Sequence, residues 1–332
     1  MDRKVLKCTH RVGRHCGSTS IRDICEYFGI SDIEEPLCFG LGEGLGFWYL
    51  KDIPLSPSIL IHVRTYPLEK NFFTNLGVPF KWEQFSERAK ALEALIKKIY
   101  NNQPALIQTD IYYLPYFNSS THFPGHAIVV WGVSEKKREF YVSDTKHPDL
   151  LSVPFDYMEQ ALYSTEGFFK SLGNQFTPPF LLSLPPDMEK VLKRAIFNTS
   201  YNMLNPSSPQ EGIKAMRRWI EEIDTWAQLE DWRWTARFTY QVIEKRGTGG
   251  GGFRLLYGDF LKEAAQYIPL LRERHLIDKM YRLGEKWREV AYGFKEISEG
   301  DPTFTNMRPL LEELYHMEYS FHLTMVKLLS SS

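Results

Sequence analysis

Apolar residues recur at helical spacing between Gly17 and Phe28, where Ile21, Ile24, Cys25 and Phe28 share one face and Gly29 supplies a stop. The same period returns from Ser86 to Tyr100 through Ala89, Leu92, Leu95, Ile96 and Ile99. Short apolar runs bounded by turn residues predict strands over Ser58–Val63, Pro104–Thr109, His126–Val133 and Glu139–Asp144, the last two forming a hairpin. A glycine-rich aromatic stretch, Phe39 to Leu50, interrupts them. This mixture predicts an α+β fold with a mostly antiparallel sheet.

The pattern changes after two proline pairs, Pro178-Pro179 and Pro185-Pro186. Nearly every later segment reads as helix: Met188–Leu204, Pro209–Leu229, Trp232–Lys245, Arg254–Tyr267, Leu271–Ile297 and Arg308–Leu329. Ser208, Pro209 and Glu211 form a start signal for the second of these. Trp219, Trp226, Trp232, Trp234 and Trp287 offer large surfaces for burial. Two domains are expected, residues 1–185 and an all-α domain over residues 186–332.

Composition narrows the classes of function. The 332 residues carry 40 Lys+Arg against 41 Asp+Glu, a net charge of −1, so a polyanion partner such as nucleic acid is not expected. Hydrophobic residues make up 43%, as in ordinary globular proteins, and no apolar run reaches the ~18 residues of a membrane span. With no secretory apolar core at the start, the expected location is cytoplasmic. All four cysteines, Cys8, Cys16, Cys25 and Cys38, fall in the first 38 residues. That leaves a metal site, a catalytic thiol or plain burial. The spacing of Cys8, His10, His15 and Cys16 fits no standard zinc pattern, and no metal or other cofactor is expected. Cys25 reads as core.

The sharpest feature is His15-Cys16-Gly17-Ser18 at the head of the first helix. A thiol there meets the positive end of the helix dipole and backbone N–H groups, which favour the thiolate, and Gly17 permits a tight turn beside the sulfur. A nucleophile also needs a base and something to orient it. If the hairpin loop is Ser134-Glu135-Lys136, facing residues sum to 270 and Asp144 lies directly across from His126, ~4.5–5.5 Å apart at Cβ. His126 would then face Cys16. A slip of one residue destroys that pairing. His122, in the loop before His126, is the alternative base.

A Cys-Gly opening a helix, a Gly-His opening a long apolar strand and an Asp ending the next strand resemble the papain-like cysteine peptidases, closest in their compact bacterial Cys/His/Asp form. Those enzymes carry an oxyanion-binding Gln six residues before the nucleophile; here His10 stands there. A wider resemblance, to the butirosin biosynthesis protein H family, covers nearly the whole chain. Arg14-His15-Cys16-Gly17-Ser18-Thr19 and Phe39 to Phe47 (FGLGEGLGF) resemble its N-terminal domain, and Gly247 to Ala265 (GTGGGGFRLLYGDFLKEAA) its C-terminal companion. The namesake moves an acyl group from a carrier protein's pantetheine thioester to an amine of an aminoglycoside. The resemblance therefore implies secondary metabolism and acyl transfer through a Cys16 thioester, and ordinary acyl-transfer chemistry adds His126 as base, oriented by Asp144, with the Cys16 N–H and His10 at the oxyanion. It also implies a pantetheine-linked donor, an acyl carrier protein as partner and a small-molecule amine as acceptor.

The remaining motifs each carry two readings. Gly40, Gly42, Gly44 and Gly46 mark either a close-packed turn or an acyl channel walled by Phe47, Trp48 and Tyr49. Glu43 is a substrate-amine ligand or an exposed carboxylate. The glycine run through Gly250, flanked by Arg246 and Arg254, is a flexible connector or a cradle for a phosphate or carboxylate. For the whole chain, a hydrolase using the same triad and a binding protein in which Cys16 is only structural stand beside the acyltransferase.

Overall fold

The computed structural model describes residues 3–51, 56–166 and 170–330. It is an α+β protein whose chain divides into two compact units, one made of Met1–Cys38 with Leu76–Leu184, the other of Phe39–Asn75 with Pro185–Ser332. Residues 39–75, placed in the first domain by the sequence pattern, group with the second unit because they pack against its helices. Among the described residues no helix is long and apolar enough to cross a membrane.

The first unit is built on an antiparallel sheet. Strands β4 (Ala105–Thr109), β5 (His126–Ser134), β6 (Glu139–Asp144), β7 (His147–Pro154) and β8 (Gln175–Phe176) take the order β7-β6-β5-β4-β8, and β1 (Lys4–Val5) adds to β5. Helix α1 (Cys16–Tyr27) packs on β5, as does α4 (Arg88–Tyr100), while α5 (Phe155–Leu162) packs on β4. The apolar face of α1 is buried as its spacing requires, but Ser18, Thr19, Ser20, Arg22 and Asp23 are buried too. This helix is enclosed on several sides, which an amphipathic pattern does not announce. Strand β7 escapes the hydrophobic pattern because its residues are mostly polar or half-exposed.

The central hairpin differs from its expected register. Its turn spans four residues, 135–138, with Arg138 at φ +54, so facing residues sum to 273 next to the turn. Trp131 is then bulged between Val130 and Gly132, and beyond it the sum is 272. At 273 the residue level with Asp144 would be Val129, on the face away from His126. At 272 it is Ile128, two residues from His126 and on the same face. The bulge therefore restores a diagonal pairing that the longer turn alone would have broken.

In the second unit β2 (Leu45–Lys51) and β3 (Ile59–Arg64) pair antiparallel, following α2 (Glu35–Leu41) and followed by α3 (Leu68–Asn75). The helices α6 (Met188–Leu204), α7 (Gly212–Glu222), α8 (Trp232–Glu244), α9 (Arg254–Ala264), the single-turn α10 (Leu270–Glu273), α11 (Leu276–Glu299) and α12 (Arg308–Leu329) complete it. Helix α7 begins three residues later than the Ser-Pro signal indicates. Residues 210 and 211 are held extended instead, since Gln210 O accepts from Tyr49 N at 2.9 Å and Glu211 bridges Trp48. Trp219 stacks between Phe47 (5.5 Å) and Phe294 (5.6 Å) at the centre of this core.

Candidate active site

The segment 14–19 around the thiol is held by one carboxylate. Glu35, 5% exposed, accepts from the backbone N–H of Arg14 (3.0 and 2.9 Å) and of His15 (2.7 Å), and from Ser18 Oγ (3.0 Å) and Thr19 Oγ1 (3.3 Å). His15 caps α1, its Nδ1 accepting the Ser18 N–H at 3.2 Å. Cys16 follows as the first helical residue and is half-buried. Gly17 has ordinary helical backbone, so beside the sulfur it contributes a missing side chain and not a left-handed turn.

Across from the thiol lie His126, 6% exposed, and Asp144, 3% exposed. His126 Nε2 donates to Asp144 Oδ2 at 2.8 Å, which leaves Nδ1 as the nitrogen for Cys16. Burial alone would push the Cys16 thiol up, but His15 and His126 outweigh it by charge and hydrogen bonds and hold it well below the ordinary thiol range. Burial likewise disfavours the His126 imidazolium, yet Asp144 and Cys16 raise it to about 10. Asp144 is kept below the usual carboxylate range, its burial offset by His126 and by Tyr116. At neutral pH these shifts describe a thiolate–imidazolium pair leaning on a carboxylate.

His10 belongs to a neighbouring network. Its Nδ1 meets Asp23 Oδ2 at 2.5 Å, and Ser143 Oγ donates to the same oxygen at 3.1 Å. The His10 side chain is 3% exposed and its Nε2 is buried with no hydrogen-bond partner. Asp23 sits seven residues after Cys16, hence on the same helical face. Sequence reasoning missed Glu35, His15, Asp23 and Tyr116. Each acts through a partner distant along the chain or through a backbone group, and no local spacing encodes that. His122, the alternative base, is tied through Nδ1 to Asp110 at 2.7 Å. Cys25 is fully buried, as its apolar helix face requires.

The other six candidates lie in the second unit. Glu43 is 8% exposed, which corrects its reading as an exposed carboxylate, and its Oε1 accepts from Asn198 Nδ2 (2.9 Å) and Asn75 Nδ2 (3.3 Å). Gly44 abuts Phe39, and Phe47, 1% exposed, stacks in the tryptophan core. The glycine loop is packed, not free: Gly250 and Gly251 have φ +88 and +59, and a Cβ on Gly251 would lie 2.7 Å from Gly284 O on α11. Arg254 is wholly buried, its Nε on Glu318 Oε1 (2.7 Å) and its Nη1 on Gly252 O (2.7 Å) and Val63 O (3.2 Å). Glu318 also accepts from Trp287 Nε1 (2.7 Å) and pairs with His322 Nε2 (2.9 Å). Arg246 lies at the surface, donating to Gln241 and stacked on Phe238.

An antiparallel α+β unit with a cysteine at a helix head and a histidine–aspartate pair facing it, joined to a helical unit, defines the class. The particular family follows from comparison with known families. Residues 15–145 match the family described as butirosin biosynthesis protein H, N-terminal, and residues 157–325, just over half of the chain, match a domain of unknown function (DUF4872). The chain belongs to the butirosin biosynthesis protein H-like family that joins this N-terminal domain to a helical C-terminal one. No curated protein matches it.

Proposed function

We propose that this chain is a cytoplasmic, cysteine-dependent acyltransferase of secondary metabolism, working through a Cys16 acyl-enzyme. The observation that carries the reading is the depressed Cys16 thiol beside a His126 that is held by Asp144. The thiolate attacks the carbonyl of a thioester, and the C–S bond to the donor breaks. The departing thiolate takes the proton from His126, leaving a Cys16 thioester and a neutral imidazole. An amine then attacks the acyl carbon and gives a proton to His126 as Cys16 leaves as thiolate, so an amide is released and the ion pair restored. The Cys16 backbone N–H faces the oxyanion, with His10 Nε2 as second donor. Because Nδ1 of His10 is turned to Asp23, that donation requires the imidazolium. Family membership supports a pantetheine-linked donor, an acyl carrier protein as partner and a small-molecule amine as acceptor, with the second unit selecting among them.

The test is incubation with acyl N-acetylcysteamine thioesters followed by intact-protein mass spectrometry. Wild type gains one acyl group at Cys16 and Cys16→Ala gains none. An unmodified wild type across short, branched and hydroxylated acyl chains overturns the reading. Adding amines converts the adduct to amide. Release as free acid alone, at a rate indifferent to amine, would make the chain a hydrolase.

A further inference from the structure

Asp144 answers to a second donor besides His126. Tyr116 Oη donates to Asp144 Oδ2 at 2.7 Å, to the same oxygen that receives His126 Nε2 at 2.8 Å. The next residue, Phe117, sets its ring edge-on against the His126 imidazole, 5.0 Å between centroids at 86°. Both belong to the 110–125 connection between β4 and β5, and that connection is anchored at its root. Asp110, fully buried, accepts from Tyr112 N (3.0 Å), Phe123 N (2.8 Å), Ser164 Oγ (2.6 Å) and His122 Nδ1 (2.7 Å). A loop fixed by four hydrogen bonds at its base thus delivers one phenol to the carboxylate and one ring to the imidazole.

We infer that Tyr116 is a positioning residue for the catalytic pair: it fixes the Asp144 carboxylate and shares its charge, and so sets how tightly His126 holds its proton. The inference rests on the triad reading above. A carboxylate oxygen that accepts two hydrogen bonds presents less charge to each donor than one that accepts a single bond. Burial together with the neighbouring Asp144 keeps the phenol protonated, so it remains a donor across the working range. Of the titratable groups near this assembly, Cys16 comes from the head of α1 and His15 from its cap, Asp144 from β6, and His147 from β7, its ring 5.4 Å from that of Tyr116.

Two readouts test this without any acyl substrate: the pH dependence of Cys16 alkylation by iodoacetamide, followed by peptide mass spectrometry, and the imidazole signals of ¹⁵N-histidine-labelled protein. Tyr116→Phe moves deprotonation of His126 to higher pH, because Asp144 then has only His126 to serve. 3,5-Difluorotyrosine at position 116, a stronger donor of nearly the same size, moves it to lower pH. Acylation by thioesters in Tyr116→Phe falls about tenfold or more, the range for one hydrogen bond to a charged group. In an Asp144→Asn background the same change has no further effect, since Tyr116 acts through that carboxylate. Tyr112→Phe, on the same loop, leaves both readouts at wild type. If His126→Ala leaves the alkylation profile unchanged, the triad itself is overturned, and this inference with it. If His126→Ala alters the profile while neither change at position 116 does, only the role of Tyr116 is overturned.

Discussion

Two buried clusters of charge, one in each unit, look alike by inventory and differ in what they leave open. In the second unit Arg254, Glu318 and His322 are all fully buried, and the carboxylate is closed by Arg254, Trp287 and His322. His322 Nδ1 in turn meets Ser200 Oγ at 3.1 Å. In the first unit Cys16, His126 and Asp144 are as tightly coupled, yet Cys16, unlike the three groups of the other cluster, is only half-buried. Burial and perturbed ionisation are common to both. Only an unspent reactive atom distinguishes a site that acts on something else from a clamp that acts on its own fold.

Substitutions can break this comparison. His126→Ala is expected to slow thioester acylation of Cys16 by roughly 10⁴-fold or more, the scale for disabling the base of such a triad. It should also move Cys16 alkylation to distinctly higher pH, because burial is then opposed by His15 alone. Arg254→Met leaves Glu318 buried without its cation. Chemical denaturation should then show a loss of about 3–5 kcal/mol, with the Cys16 alkylation profile unmoved. His10→Ala should slow acylation by about 10²-fold, the value of one oxyanion donor, and His10→Gln should recover most of it. Full activity in His10→Ala would remove His10 from the oxyanion site.

The pH dependence separates the clusters by sign. Glu318 is driven down from 4.5 to about 2, its burial overcome chiefly by Arg254 and His322. Its contribution to stability is therefore present above pH 4.5 and is lost as the pH falls toward 2. His126 is raised from 6.5 to about 10, so its contribution is complete below pH 6.5 and disappears as the pH climbs through 10. Thermal melts across both ranges should show an acid loss that Glu318→Gln flattens and an alkaline loss that His126→Ala flattens.

Much of this was readable in the sequence, and the rest was hidden for identifiable reasons. The α1 helix and the β5 and β6 strands follow from periodicity and fall within a residue or so of their predicted bounds. The pairing of His126 with Asp144 was reached through the wrong turn and the wrong sum, and it holds because the two differences cancel in parity. A bulge leaves no mark on hydrophobic alternation, so local pattern cannot supply it. Asp23 and Glu35 carry no local signal in the sequence. Their meaning lies in groups such as the His10 ring and the Arg14 and His15 N–H. The glycine run read equally as connector or cradle, since composition does not say that Gly284 O crowds it from α11.

The Trp131 bulge makes chain length in this hairpin a matter of odd and even. Adding one residue to the 135–138 turn would carry Asp144 to the far side of the sheet from His126, whereas adding two would keep the face and lengthen only the reach. Removing the bulge has the same odd effect, and the position beside it is guarded: a Cβ at Gly132 would meet Lys4 O at 2.7 Å, where β1 crosses. A two-residue N-terminal strand thereby protects the count on which the His126–Asp144 pairing depends. Insertions and deletions in this hairpin should accordingly be tolerated in pairs and refused singly.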